Sequence, residues 1–324
     1  MSSQLAPLLE SLRARHLRIG LVGCKSSRAA EVADAIVSLP RATVEVFGLS
    51  DVMRGDLPDA VRVASDASDD IEASAAAVAA WQSDSVDVLL KLDVSTKTLM
   101  RAMLGAQLGG WFTHVALVLD EGRGSRFLLA DSGLNRLPRP ADVVRIVERM
   151  AIVARALGNP DPRIALLSYR EDPDPLFPLF DEALVQHADK LAGLPVTLVG
   201  PTSFDIAVDA TAAAAKGLAG GGVCDGVVTP DIVAANALYK AHMLRPDCVV
   251  AGIVVDEIGR TLAVPSRAAT LDARLASIAL AAAVNDHEQE PVEAAQAYSY
   301  NDTSSGSPGR SPDRDASVTQ TCDN

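Results

Sequence analysis

The chain has 324 residues, 48% of them hydrophobic and 22% charged. Lys and Arg together number 29 against 42 Asp and Glu, a formal net charge of −13. That balance excludes a general nucleic-acid binder or a protein of anionic membrane surfaces, since both need a basic face. A small anion needs only a few well-placed donors, so in this acidic chain a basic residue inside an apolar stretch is informative. At roughly 100–200 residues per domain, two domains are expected.

Residues 1–16 read as a polar amphipathic helix without the apolar centre of a signal peptide. No run approaches the ~20 apolar residues of a membrane span, so the expected location is the cytoplasm. A strand follows at 16–23, a short polar turn, and a helix at 28–39. Residues 42–48 predict a strand, 71–82 an Ala-rich helix and 86–91 a buried strand. Ser95 and Thr96 cap a helix running through 104. Strands at 114–119 and 126–130 are joined by a turn, and a long helix covers 141–157. The second half repeats the alternation, with strands at 163–168, 196–200, 226–229, 248–255 and 261–264. Its helices fall at 177–191, 204–216, 233–242 and 270–284.

Strands alternating with helices predict an α/β fold of βαβ units, with mostly parallel β-sheets covered by helices. Two lobes are expected, 1–140 with part of 265–285 and then 141–264. Residues 286–324 lose all periodicity and read as a disordered tail. Four cysteines, Cys24, Cys224, Cys248 and Cys322, form no CxxC pair. They read as buried small hydrophobes plus one tail thiol, and no metal site is expected.

In α/β sheets, ligands bind beyond the carboxyl ends of strands, where helix N-termini attract anions. The polar residues at such places are Gly23–Ser27, Lys91–Thr96, Asp131–Asn135, Gly200–Asp205, Pro230–Asn236 and Pro265–Asp272. The first lacks the spacing of a phosphate loop and reads as an ordinary turn. Lys91 follows an apolar strand and precedes a helix start, which suits either an anion anchor or a lysine reaching out to water. Arg267 after Ser266 offers a planar fork matching phosphate oxygens, and Asp272 is a nearby base. A capped helix with a first-turn Asp explains those residues equally well. His114, at a strand entry, reads as structural. No GxSxG elbow or GxGxxG fingerprint is present.

Six segments, in order, carry a family resemblance. They are VLLKLDVSTKTLMRAML from Val88, THVALVL from Thr113, FLLADSGLNRLP from Phe127, VGPTSFDIAVDATAAAAKG from Val199, VVTPDIVAANALYKA from Val227 and VPSRAATLDARLASIALAAAV from Val264. Over about residues 85–284 the chain resembles the phosphate acetyl/butyryltransferase family, nearest its short phosphate butyryltransferase branch. The resemblance implies a two-lobed phosphotransacylase of the fold shared with isocitrate and isopropylmalate dehydrogenases. It also implies a homodimer or larger assembly, and the reaction acyl-CoA plus phosphate to acyl phosphate plus CoA. Coenzyme A enters as a substrate.

By the same resemblance, Ser266, Arg267 and Asp272 are catalytic: a donor to the thioester, a phosphate anchor and an acceptor of the thiol proton. Lys91, Ser95, Thr96, Asp131 and Asn135 line one wall of the substrate site. Gly200, Pro201, Asp205, Pro230, Asn236 and Lys240 complete it. The chain departs from the family at Leu92 and Ala235, where glycine is usual, and at Asp256. Acid at Asp93, Asp256 and Glu257 predicts weakened phosphate binding through like-charge repulsion. These departures motivate two competing readings. One is a CoA-dependent acyltransferase or thioester-processing enzyme with a non-phosphate acceptor, and the other a non-catalytic acyl-CoA-binding protein.

Overall fold

The computed structural model describes residues 4–53, 55–67, 69–106, 110–217 and 224–289. The first half contains α1 (Leu5–Ala14), β1 (Leu17–Cys24), α2 (Ser27–Val37), β2 (Ala42–Leu49), β3 (Arg62–Ser65), α3 (Asp70–Gln82), β4 (Val88–Lys91) and α4 (Thr96–Gly105). Next come the hairpin β5 (Thr113–Asp120) and β6 (Ser125–Ala130), then α5 (Pro140–Ala156), β7 (Arg163–Leu167), α6 (Leu179–Gln186) and α7 (Ala188–Ala192). The chain continues through β8 (Thr197–Thr202), α8 (Phe204–Val208), α9 (Ala210–Ala215), β9 (Gly226–Val228) and α10 (Ile232–Met243). It finishes with β10 (Cys248–Val255), β11 (Thr261–Ala263) and α11 (Leu271–Gln289).

All eleven strands join one sheet in the order β3-β2-β1-β4-β11-β10-β5-β6-β9-β7-β8. Pairing is parallel except where β10 meets β11 and β5, and within the β5–β6 hairpin. Every residue of β5 is buried, as expected for a strand covered on both faces. Strands β10 and β11, placed in the second lobe by the sequence, pair with β5 and β4 in the middle of this sheet.

Several boundaries differ from expectation, each for a local reason. The helix predicted at 204–216 is two helices, because the Asp209 carboxylate accepts from Thr211 N and Ala212 N and starts a new one. The helix predicted at 177–191 breaks at His187, whose φ of −126° and ψ of 26° leave the helical region. Strand β3 escapes the sequence because it is exposed at the sheet edge and carries no apolar alternation. Helix α11 continues to Gln289, so 286–289 are not part of a disordered tail. The remainder of that tail, with Cys322, lies outside the described residues.

Candidate active site

Strands β1, β4 and β11 lie side by side and parallel, so their carboxyl ends form one rim. Beyond β4 the ladder persists: Leu92 N donates to Val22 O at 3.0 Å and Asp93 N to Gly23 O at 3.1 Å. Gly23 has φ of +79°, and a Cβ there would sit 2.5 Å from Val94 Cγ1. Only glycine lets the two chain segments approach so closely. This packing holds Lys91 at 3% exposure. Its Nζ reaches only the Leu92 and Val94 carbonyls, each at 3.4 Å. Burial lowers the Lys91 ammonium to about 8, and the charges of Arg267, Arg274 and Lys240 push the same way, with Asp93 opposing.

Residues Val264–Arg267 leave β11 at this rim. Ser266 N donates to the Tyr239 hydroxyl at 3.1 Å, and Lys240 Nζ donates to Ser266 Oγ at 2.8 Å. Burial, then Arg267, lowers the Lys240 ammonium. The Arg267 carbonyl accepts from Arg274 at 2.9 Å and Arg28 at 3.1 Å, leaving its exposed guanidinium out of that clamp. Four cations, Lys91, Lys240, Arg267 and Arg274, thus act on one another around a single loop. Burial adds to the cost of such a cluster, Asp93 offsets part of it, and a bound anion would offset more.

Ser95 is the N-cap of α4, accepting from Thr98 N at 3.0 Å, and Thr96 is the first residue of that helix. Asp131 and Asn135 serve the loop after β6. The Asp131 carboxylate accepts from His114 N, Gly133 N, Leu134 N and Asn135 Nδ2, and Asn135 Nδ2 also reaches Phe112 O. Both side chains are therefore engaged in shaping the wall. Pro230 leads into α10, whose N-cap is Asp231, and Asn236 Nδ2 donates to Ser132 O at 3.2 Å. Asp272 is exposed on the first turn of α11.

Gly200, Pro201 and Asp205 are not brought to this rim. Gly200 and Pro201 lie on edge strand β8, six strands from β11. Asp205 sits on α8 and accepts from Ser203 Oγ at 2.7 Å, with Lys216 Nζ 3.8 Å away.

The expected acid–phosphate conflict is corrected by the geometry. Asp256 and Glu257 lie in the turn between β10 and β11, at the opposite end of β11 from Ser266. The Asp256 carboxylate is filled by Ile258 N, Arg260 N and Arg260 Nε. Asp93 stays near Lys91, but its carboxylate accepts from Lys25 N and Ser26 Oγ, both at 3.0 Å. The Gly23–Ser27 turn thus ties the β1 end to the Lys91 loop, in keeping with an ordinary turn.

His114 is buried, as its structural reading requires. Its Nε2 meets Val264 O at 3.2 Å and its ring lies edge-on to Tyr239, centroids 5.9 Å apart. Gly252 makes room: a Cβ there would be 3.2 Å from His114 Nε2. Burial lowers the His114 pKa and keeps the ring neutral. Sequence reasoning missed Arg28 and Arg274, and met Tyr239 only as part of the segment VVTPDIVAANALYKA, without a role. Arg274 did carry a signal, an arginine just ahead of the apolar stretch of α11, and it is buried at 4% exposure. Cys24 is buried, and that burial pushes its thiol up to about 12, away from reactivity. Among the described residues, no group of three or more His, Cys, Asp or Glu could hold a metal ion. No helix there is long and apolar enough to cross a membrane.

The covered α/β sheet is also the fold of solved phosphotransacylases. A branched-chain phosphotransacylase from Enterococcus faecalis superposes with a TM-score of 0.71 at 27% identity, covering 84% of this chain and 99% of that one. The phosphate butyryltransferase of Clostridium beijerinckii is 30% identical over 227 residues, 68% of this chain and 75% of its own. That of Clostridium acetobutylicum is 30% identical over 206 residues, 61% of this chain and 68% of its own. The profile of the family described as Phosphate acetyl/butaryl transferase matches residues 60–282, and the chain belongs to that family.

Proposed function

We propose that the protein transfers an acyl group reversibly between coenzyme A and inorganic phosphate. Family membership carries the reaction class, and one observation supports its location. Beyond the carboxyl ends of β4 and β11, Lys91 lies close enough to Arg267 and Lys240 for their charges to lower its ammonium, and Lys240 donates to the Ser266 hydroxyl at 2.8 Å. Phosphate is a dianion or monoanion near neutrality, and Lys91 and Arg267 supply the charge and donors it needs, while Lys240 is engaged with Ser266. With phosphate held there, one of its oxygens attacks the thioester carbon. Ser266 donates to the carbonyl oxygen as charge develops on it. The C–S bond breaks and the thiolate leaves. In the reverse direction Asp272 accepts the thiol proton.

The reading with a non-phosphate acceptor is not favoured, because the acid that motivated it at Asp256 faces away from this rim. We further propose a cytoplasmic enzyme that assembles as a homodimer or larger, which light scattering on the purified chain tests. For the activity, the protein is incubated with a panel of acyl-CoAs, with and without phosphate, while free thiol and acyl phosphate are followed. Thiol and acyl phosphate should appear together, and only with phosphate. Thiol release that ignores phosphate sinks the proposal.

A further inference from the structure

Two consecutive residues of α10 grip Ser266. The Tyr239 hydroxyl accepts from its backbone N–H, and the Lys240 ammonium donates to its Oγ at 2.8 Å. A second donor, Ala268 N, approaches the same Oγ at 3.4 Å. A serine hydroxyl has two acceptor lone pairs and one proton. Here donors face both lone pairs, so the O–H proton alone is uncommitted. It must point away from α10 and from the turn at Ala268.

The grip itself is rigid. Lys240 Nζ lies 5.3 Å from the centre of the Tyr239 ring, a cation–π contact. The same ring makes an edge-on contact with His114, which in turn holds the Val264 carbonyl two residues before Ser266. A closed path therefore runs from Val264 through His114 and Tyr239 back to Ser266.

We infer that Lys240 is a positioning residue that aims the Ser266 hydroxyl as a donor at the thioester carbonyl oxygen. The inference rests on the transferase reading above and deepens it. Without Lys240 the hydroxyl is free to turn its proton toward nearby carbonyls, and its alignment with the developing oxyanion is lost. A lysine that merely anchored phosphate would act on substrate affinity. One that aims Ser266 acts on turnover and acts only while Ser266 is present.

A double-mutant cycle separates these roles. Lys240→Met should lower kcat about 10–100-fold while KM for phosphate and acyl-CoA stays within about threefold. Lys240→Met combined with Ser266→Ala should be no slower than the worse single variant. Lys240→Arg, which keeps a charged donor, should recover part of the loss. Fully multiplicative effects overturn the inference, as does a raised phosphate KM with kcat retained. So does an acyl adduct on Ser266 in quenched mass spectra.

If the unaltered protein releases thiol without phosphate, the transferase reading fails. The same cycle read on that thiol release still reports the coupling, because the carbonyl oxygen gains charge whatever the acceptor. A readout free of turnover is the NMR titration of the Lys240 side chain. Ser266→Ala should lower its midpoint, since the hydroxyl favours the ammonium. An unchanged midpoint refutes the contact.

Discussion

Replacing Lys91 with methionine should make the protein more stable and less able to bind phosphate. Lys91 is 3% exposed and lies among Arg267, Arg274 and Lys240, with only carbonyls at its Nζ. Its ammonium falls from the ordinary 10.5 to about 8. Each pKa unit is worth ~1.36 kcal/mol, so keeping the charge in the folded state costs about 3 kcal/mol near pH 7. The direction follows from proton counts. Between about 8 and 10.5 the folded state has released the proton that the unfolded chain still binds. Stability therefore rises with pH across that window. Methionine fills a similar volume and carries no charge.

Urea denaturation at pH 7 should show Lys91→Met more stable by up to about 3 kcal/mol, with the advantage shrinking toward pH 10. Phosphate should raise the melting temperature of the unaltered protein and raise that of the variant less, because an anion relieves the repulsion only when the cation is there. The reasoning is refuted if the variant is less stable at pH 7, or if its advantage does not change with pH.

Arg267→Ala should leave the melting temperature unchanged or slightly raised, because Arg28 and Arg274 hold its carbonyl rather than its side chain and its charge only adds to the repulsion on Lys91. It should cost roughly 10–150-fold in kcat/KM for phosphate, the equivalent of ~1.5–3 kcal/mol for a charged hydrogen bond. Asp272→Asn should lower kcat for acyl phosphate plus CoA by about 100-fold, seen in the rate of thiol consumption, without affecting melting. Asp256→Ala should do the opposite. It removes a buried acceptor from Ile258 N, Arg260 N and Arg260 Nε. It should destabilise by about 1–3 kcal/mol in urea titrations and leave kcat within about twofold.

Part of the cationic cluster was legible before any coordinates. Lys91, Ser266 and Arg267 were singled out because strand ends and helix starts are local features, readable from apolar runs and their polar punctuation, whereas Lys240, inside α10, was named only through the family resemblance. The family resemblance covered the same residues. Arg28 and Tyr239 were not legible. Each matters only through a partner far along the chain, at 239 and 27 residues respectively. The acid around the site was misjudged for a related reason. Asp256 is ten positions before Ser266 in sequence, but the intervening turn and strand carry them to opposite ends of β11.

Sequence alone determined the α/β class, the kinds of residue at each strand end and the net acidic balance. These follow from periodicity and composition, which any short window of chain contains. The tertiary structure decided which of those ends share a rim. It joined β4 to β11 through a single parallel pairing and left β8 at the far edge, so Gly200, Pro201 and Asp205 fall outside the cluster. It also decided the charge state of that cluster. Desolvation and mutual repulsion depend on distances between residues that no local pattern specifies. A chain with a net charge of −13 thereby keeps four cations close together at one rim of its sheet.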